Sequence, residues 1–332
     1  MSAEDFPPPL PPPLLAPPPV PRPRVWPALL VALGAIVAAL VFAGVVQFGI
    51  LAATGDLQPV LKMMVPKPLP PGSGEHGKAV PVVPVELPDF GALMMKSMTK
   101  FLDRPFAVAT LVLPGQAVLL GAALGAAALS RRRFTERLGY VRSALPWWSL
   151  PVLMVATLFF GIVGGLVLDR LFPGRHETAE FFAAMARSGS WKIAVLNTAL
   201  LSLVPGFVEE SLFRGYLQRR LLERWSPVVA IAVSTVLFCA AHFDPQHVIS
   251  VVPVGAWLGV LAWRCAAVWP GMLCHASMNA VSFTMMRLGA DPEDRTITPA
   301  LWAVLAFGGA AALLAAWLMR RHPPRYSDGA RR

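Results

Sequence analysis

The sequence predicts an all-α polytopic membrane protein with about eight transmembrane helices. Three observations carry that expectation. The 332 residues are 55% hydrophobic and only 14% charged, against about 45–50% apolar and about 25% charged in soluble domains. The apolar residues stand in long runs, several reaching the roughly 20 residues that a bilayer-spanning helix needs. The arginines gather between those runs, as topology signals do. A net charge of +10 also fits a nucleic-acid binder, but no single basic face forms, so no nucleic-acid partner is expected. Cys239, Cys265 and Cys274 all lie in or beside apolar runs, which reads as small apolar helix residues rather than a disulfide framework.

Residues 1–25 are dominated by proline, as in Pro7-Pro8-Pro9-Leu10-Pro11-Pro12-Pro13. Such a segment cannot build a helix or a core, and is expected to be a disordered, extended tail. The first apolar run covers about 25–54 and is followed by a loop of about fifty residues with nearly balanced charge. A second run, about 106–129, stops at Arg131-Arg132-Arg133, and a third covers about 149–168. The fourth begins near Trp191 and ends at Arg219-Arg220; the fifth and sixth cover about 227–243 and 248–263. A seventh runs over about 270–288, and an eighth, about 299–319, stops at Arg320-Arg321.

With the N-terminus inside, the segments 1–24, 131–148, 219–226, the Arg264 turn and the tail from Arg320 face the cytoplasm. These are the arginine-rich ones, and the other loops are balanced or acidic. Eight helices with both ends cytoplasmic satisfy the positive-inside rule at every loop. In this reading the chain lies in a cell inner membrane.

Strongly polar side chains enter the apolar runs in the second half of the chain. The stretch Glu209-Glu210-Ser211-Leu212-Phe213-Arg214 places three charges in one helical run. Each costs roughly 2.5–3.5 kcal/mol near a bilayer centre, whereas an exposed Glu–Arg pair returns only about 0.2–0.5 kcal/mol. Either the stretch lies outside the membrane, as a cytoplasmic helix end with a solvated salt bridge, or partners on other helices offset the charges. Glu210 and Arg214 are four apart and can pair, while Glu209 points about 100° away around the helix and is left free. Pro205, four residues earlier, is expected to bend the helix, free a backbone carbonyl and open a small wet pocket. Counted from Arg219, Glu209 lies roughly 15 Å into the bilayer.

The fifth run carries Phe238-Cys239-Ala240-Ala241-His242, and the seventh His275-Ala276-Ser277-Met278-Asn279. A spacing of four puts His275 and Asn279 on one helical face. Singly, His242 reads as a solvated helix-end residue and Asn279 as glue between helices. Together with Glu209 they support two chemistries. Without metal, Glu209 is a general base on water, helped by His242, while His275 and Asn279 donate to a developing oxyanion. With zinc, Glu209, His242 and His275 form a two-histidine, one-carboxylate site with an open position for water. Straight helices would leave His242 about 22 Å along its helix and His275 only about 8 Å along its own, which is not level.

These three motifs resemble those of the CAAX-protease and bacteriocin-processing family of intramembrane proteases, related to prenyl-protein-specific endopeptidases. That family carries Glu-Glu-x-x-x-Arg, Phe-x-x-x-His and His-x-x-x-Asn on successive membrane helices, and the resemblance covers about 131–288. It implies an intramembrane endopeptidase cleaving near the end of a peptide or protein substrate, lipid-modified or not, with helices four to seven as the catalytic core. By resemblance, Glu209 and His242 activate water, and His275 and Asn279 form the oxyanion hole. Glu210, Arg214 and Phe238 are the structural support, and the cofactor is either zinc or none. The alternative is a non-enzymatic membrane scaffold or immunity protein using the same polar cluster structurally. The expected organisation is a disordered cytoplasmic tail (1–25), two helices with a large external loop (26–130), the protease core (131–288), and a last helix with a basic cytoplasmic tail (289–332). Membrane lipids complete the expected partners.

Overall fold

The computed structural model describes residues 24–55, 90–102, 104, 106–173, 177–289 and 298–324. The proline-rich tail up to residue 23, loop residues 56–89, the acidic loop 290–297 and the basic end from residue 325 lie outside the described residues. What is described is an all-α polytopic membrane fold, with no strand among the described residues.

The helices are α1 (Trp26–Thr54), α2 (Phe90–Phe101), α3 (Ala107–Ala128), α4 (Phe134–Leu138), α5 (Leu150–Leu171), α6 (Glu177–Arg187) and α7 (Trp191–Glu210). A π-helix (Ser211–Gln218) follows, then α8 (Arg219–Leu222), α9 (Pro227–Ala240), α10 (Pro245–Cys265), α11 (Trp269–Arg287) and α12 (Pro299–Arg321). Three of the later helices start by one device. Ser226, Asp244 and Thr298 each cap with a side-chain oxygen that accepts a backbone N–H, and a proline follows at once. The cap satisfies an orphan donor, and proline suits a first helical position where its missing N–H costs nothing.

Helices stand at all eight expected positions. Among the described residues six helical stretches are both long and apolar enough to cross a membrane: α1, α3, α5 with its leading turn, α7 through α8, α10 and α12. The two others fall short for different reasons. Helix α9 has 14 residues, about 21 Å of rise against a hydrocarbon core of about 30 Å. Helix α11 is 19 residues long but carries His275, Ser277, Asn279, Ser282 and Thr284. Its polarity is what a site requires and what an apolarity criterion rejects.

Helices α2 and α6 fall in stretches expected to be loops. Both are too short and too charged to span, and both are amphipathic. On α6 the apolar side chains Phe181, Phe182, Met185 and Ala186 pack with Leu201 and Phe283 in one apolar cluster. A second cluster joins α1, α3, the π-helix and α9, and a third joins α5, α10, α11 and α12. Large apolar side chains such as Val41, Phe307 and Leu313 face outward. On a soluble surface they would be a liability, but on spanning helices they meet lipid.

Candidate active site

Helix α7 runs uninterrupted through Pro205. A change of helix type comes six residues later, where the helix widens into the π-helix Ser211–Gln218. π-segments are rare and occur frequently at functional sites. All eight residues of this one are buried. Ser211 donates its hydroxyl to the Phe207 carbonyl at 2.5 Å and pairs with the Tyr140 hydroxyl at 2.7 Å. Burial pushes the Tyr140 phenol above its ordinary range, with the Ser211 hydrogen bond opposing, so this contact is between neutral groups.

The effect of Pro205 appears in hydrogen bonding. A proline has no N–H to offer the carbonyl four residues earlier, here Leu201. That carbonyl accepts from Asn279 Nδ2 at 3.2 Å. One amide hydrogen of Asn279 thus joins α11 to α7, and the second amide hydrogen and the Oδ1 are left for other use. The two helices approach closely because Gly206 has no side chain. A Cβ there would stand 3.0 Å from the Ala276 nitrogen and the Met272 carbonyl.

Glu210 and Arg214 form an ion pair at 2.9 Å with both side chains fully buried. Arg214 also donates through Nη2 to the Gly255 carbonyl at 2.9 Å, and its guanidinium lies 4.0 Å above the Phe238 ring. His275 Nδ1 approaches the same Glu210 oxygen at 3.3 Å. A carboxylate oxygen accepts, so Nδ1 carries the proton and His275 Nε2 faces elsewhere. Just past the end of α9, His242 Nδ1 lies 3.0 Å from the Phe238 carbonyl. The same rule puts a proton on that nitrogen and leaves a lone pair on Nε2 in the neutral ring.

The histidines do come level. Phe238 stands edge-on to both, with ring centroids 5.0 Å from His242 and 6.0 Å from His275. The start of α11 is held by the preceding turn: Val268 N–H donates to the Gly139 carbonyl, and Arg219 donates to the Ala266 carbonyl. His242 sits just past the end of α9, in a corner where Phe243 adopts φ 58°. A left-handed aromatic residue is a strained feature, of order 1–3 kcal/mol, and such strain clusters at functional sites. His247, one turn into α10, lies 5.0 Å from His242 between ring centroids and packs on Phe182 of α6.

Glu209 stands apart from this network. Its Oε1 accepts from Gln116 Nε2 of α3 at 2.8 Å, and its Oε2 is buried with no partner among the described residues. Among the described residues no hydrogen bond joins Glu209 to either histidine. Glu210, Arg214, Phe238, His242 and His275 form one continuous contact chain, with Asn279 a turn further along α11. Gln116, Tyr140 and His247 escaped the sequence reading. Gln116 carried a signal, since Gln116 and Thr110 are the polar side chains of an otherwise apolar helix.

The zinc alternative needs Glu209, His242 and His275 to converge. Glu209 turns to Gln116, away from both histidines, whereas the contact of His275 Nδ1 with Glu210 leaves its Nε2 free. Among the described residues no three His, Cys, Asp or Glu side chains group as metal ligands. The donor set does not fit a resident zinc, and no step below passes through one.

An all-α membrane fold with a buried ion pair, two histidines and a separate carboxylate beside it defines a membrane protein with a chemically equipped interior. Residues 190–281 match the family model described as Type II CAAX prenyl endopeptidase Rce1-like. That segment is similar to an Rce1-like domain, holds all three motifs and covers less than half of the sequence. No curated protein and no solved structure matches the chain. The match supports intramembrane protease activity in general and implies a peptide or protein substrate.

Proposed function

We propose that this protein is an intramembrane endopeptidase that hydrolyses a peptide bond near the end of a peptide or protein substrate. The observation that carries the reading is the unequal treatment of two adjacent carboxylates. Glu210 is neutralised by Arg214 in a fully buried pair, while Glu209, among the described residues, has no cationic partner and takes its one hydrogen bond from the neutral Gln116 amide; each carboxylate keeps one oxygen unpaired. A carboxylate kept free at membrane depth suits a general base.

In this mechanism a water lies between Glu209 and the unprotonated Nε2 of His242. Glu209 takes a proton as the water oxygen bonds to the substrate carbonyl carbon. His275 Nε2, when protonated, and the second amide hydrogen of Asn279 donate to the oxyanion that forms. Glu210 stands against the opposite nitrogen of the His275 ring, where a carboxylate stabilises an imidazolium. The proton held by Glu209 then passes to the departing amine as the C–N bond breaks.

The domain's name refers to prenyl endopeptidases, so the substrate panel holds prenylated and unprenylated peptides of the same sequence. Purified wild-type protein cleaves a member of that panel and Glu209→Gln does not, with a loss of about 10²–10⁴-fold expected for removing a general base. Robust cleavage by Glu209→Gln removes Glu209 from this role and favours a structural use of the cluster. We place the protein in a cell inner membrane among its lipids, with both termini cytoplasmic. Reporter fusions at residues 1 and 332 that act only outside would overturn the orientation.

A further inference from the structure

We propose that Gln116 is a positioning residue for Glu209, and that the pair holds the water that attacks the peptide carbonyl. The inference rests on the endopeptidase reading above and adds to it a residue of α3, outside the matched segment 190–281. Three observations carry it. Gln116 donates to Glu209 at 2.8 Å, joining residues 93 apart in sequence. In α3 the other hydroxyl or amide side chain, Thr110, turns back on the Phe106 carbonyl of its own chain. Gln116 is therefore the polar side chain that this helix offers to its neighbours. Finally, both groups keep an unsatisfied oxygen: Glu209 Oε2 and Gln116 Oε1 are buried and have no hydrogen-bond partner among the described residues.

Two buried acceptors on groups already hydrogen-bonded to one another call for a donor, and a water molecule has two O–H bonds to give. Donation to Glu209 Oε2 and Gln116 Oε1 satisfies both atoms in the resting protein; when substrate enters, the O–H on Gln116 turns to the His242 Nε2 lone pair, and an oxygen lone pair of the water is left for the substrate. Buried water needs two to four polar partners, and these supply two. The Nε2 hydrogen bond to Oε1 fixes the plane of the carboxylate, so the lone pair on Oε2 has a set direction. Gln116 touches neither substrate nor reacting atom except through that water. In the step, a C–O bond forms, one water proton moves to Glu209 Oε2 and then to the amine, and the C–N bond breaks.

A glutamine in an apolar helix also serves as glue between helices, and the experiment separates the two roles. Gln116→Met keeps the length and removes all hydrogen bonding. Gln116→Glu keeps the shape and faces Glu209 with an oxygen where the donor stood. Full-length protein in detergent is assayed on the peptide panel, with unfolding midpoints for every variant and peptide affinity measured on a Glu209→Gln background. Positioning predicts that both variants lose about 10–100-fold in kcat, the scale of a misplaced reacting group. KM, peptide affinity and the amount of folded protein stay within twofold. A variant whose kcat per folded molecule is unchanged, whether or not KM or stability moves, overturns the proposal and leaves the endopeptidase reading standing. Wild-type protein that cleaves nothing in the panel overturns both.

Discussion

Removing Arg214 tests the central element of the fold. Its guanidinium faces Glu210 at 2.9 Å, the Gly255 carbonyl at 2.9 Å and the Phe238 ring at 4.0 Å, and neither member of the ion pair has exposed side-chain surface. Arg214→Ala deletes all three contacts and leaves Glu210 with His275 Nδ1 at 3.3 Å as its nearest donor. Breaking one side of a buried pair costs about 3–5 kcal/mol, mostly because the other charge stays buried and uncompensated. The ring contact, about 2 kcal/mol when desolvated, overlaps with that figure rather than adding to it. Against a total stability of about 5–15 kcal/mol, such a loss removes a large share of the folded population. The assay is unfolding in a detergent series, followed by helicity and by the monodisperse fraction on a sizing column. Arg214→Lys recovers only part, since an ammonium cannot bridge Glu210 and the Gly255 carbonyl with a planar fork. Glu210→Gln combined with Arg214→Met recovers more, because no charge is then left unpaired. A single Arg214→Ala variant within about 0.5 kcal/mol of wild type would refute the reasoning, for that is the range of substitutions away from any buried network.

Three further outcomes follow from other parts of the structure. A Cβ at Gly164 would stand 1.8 Å from the Ser250 carbonyl oxygen of α10, so Gly164→Ala should cost at least the roughly 1–3 kcal/mol of an overpacked core; an unchanged unfolding midpoint contradicts that contact. Burial works to raise the Asp244 pKa, but hydrogen bonds from the Thr178 side chain and the Gln246 and His247 backbone outweigh it and hold the pKa below the ordinary value. A depressed carboxylate pKa gives stability that is full above the unfolded pKa and is lost as pH falls through the folded one. Wild type should therefore lose more stability than Asp244→Asn on acidification from neutral pH through the carboxylate range, and parallel acid curves would count against it. Zinc chelators should leave peptide cleavage by wild type unchanged, and a loss restored by added zinc would reinstate the Glu209, His242 and His275 ligand set.

The apolar runs made the spanning helices legible because bilayer thickness and backbone hydrogen bonding leave little choice of structure. The Glu210–Arg214 geometry was legible for a similar reason: a spacing of four on a helix survives even where that helix widens into a π-turn. Helices α2 and α6 were not, since amphipathic segments of 12 and 11 residues carry no spanning signal and owe their form to tertiary packing. Helix α9 looked long enough because the apolar run continues to Phe243. The chain turns at Ala241, and a left-handed Phe243 ends the helix in a way that no residue type announces. The levelling of His242 and His275 depends on where α11 starts in depth, which the turn clamped by Gly139 and Arg219 sets. That is long-range information.

Gln116 shows most clearly where a motif-centred reading stops. Motifs concentrate attention on 209–279, yet the carboxylate with the least support inside that window takes its hydrogen bond from α3. The π-helix bears on the same point. It begins directly after Glu210, so the two glutamates occupy the last regular turn of α7 and diverge, while Arg214, inside the wider turn, still reaches back to Glu210. An α-helix of the same sequence would allow the same pair, so the π-turn is not there to make it. What the π-turn does accompany is a segment whose side chains are buried on every side, with Phe213 and Phe238 edge to face at 5.5 Å and the Phe213 carbonyl accepting from Ser234. The Ser234 hydroxyl and the Gly255 carbonyl belong to separate helices, and both are spent on this one segment. A helix so fixed beyond Glu210 leaves Glu209 as the carboxylate whose surroundings can differ, and those surroundings are supplied by α3.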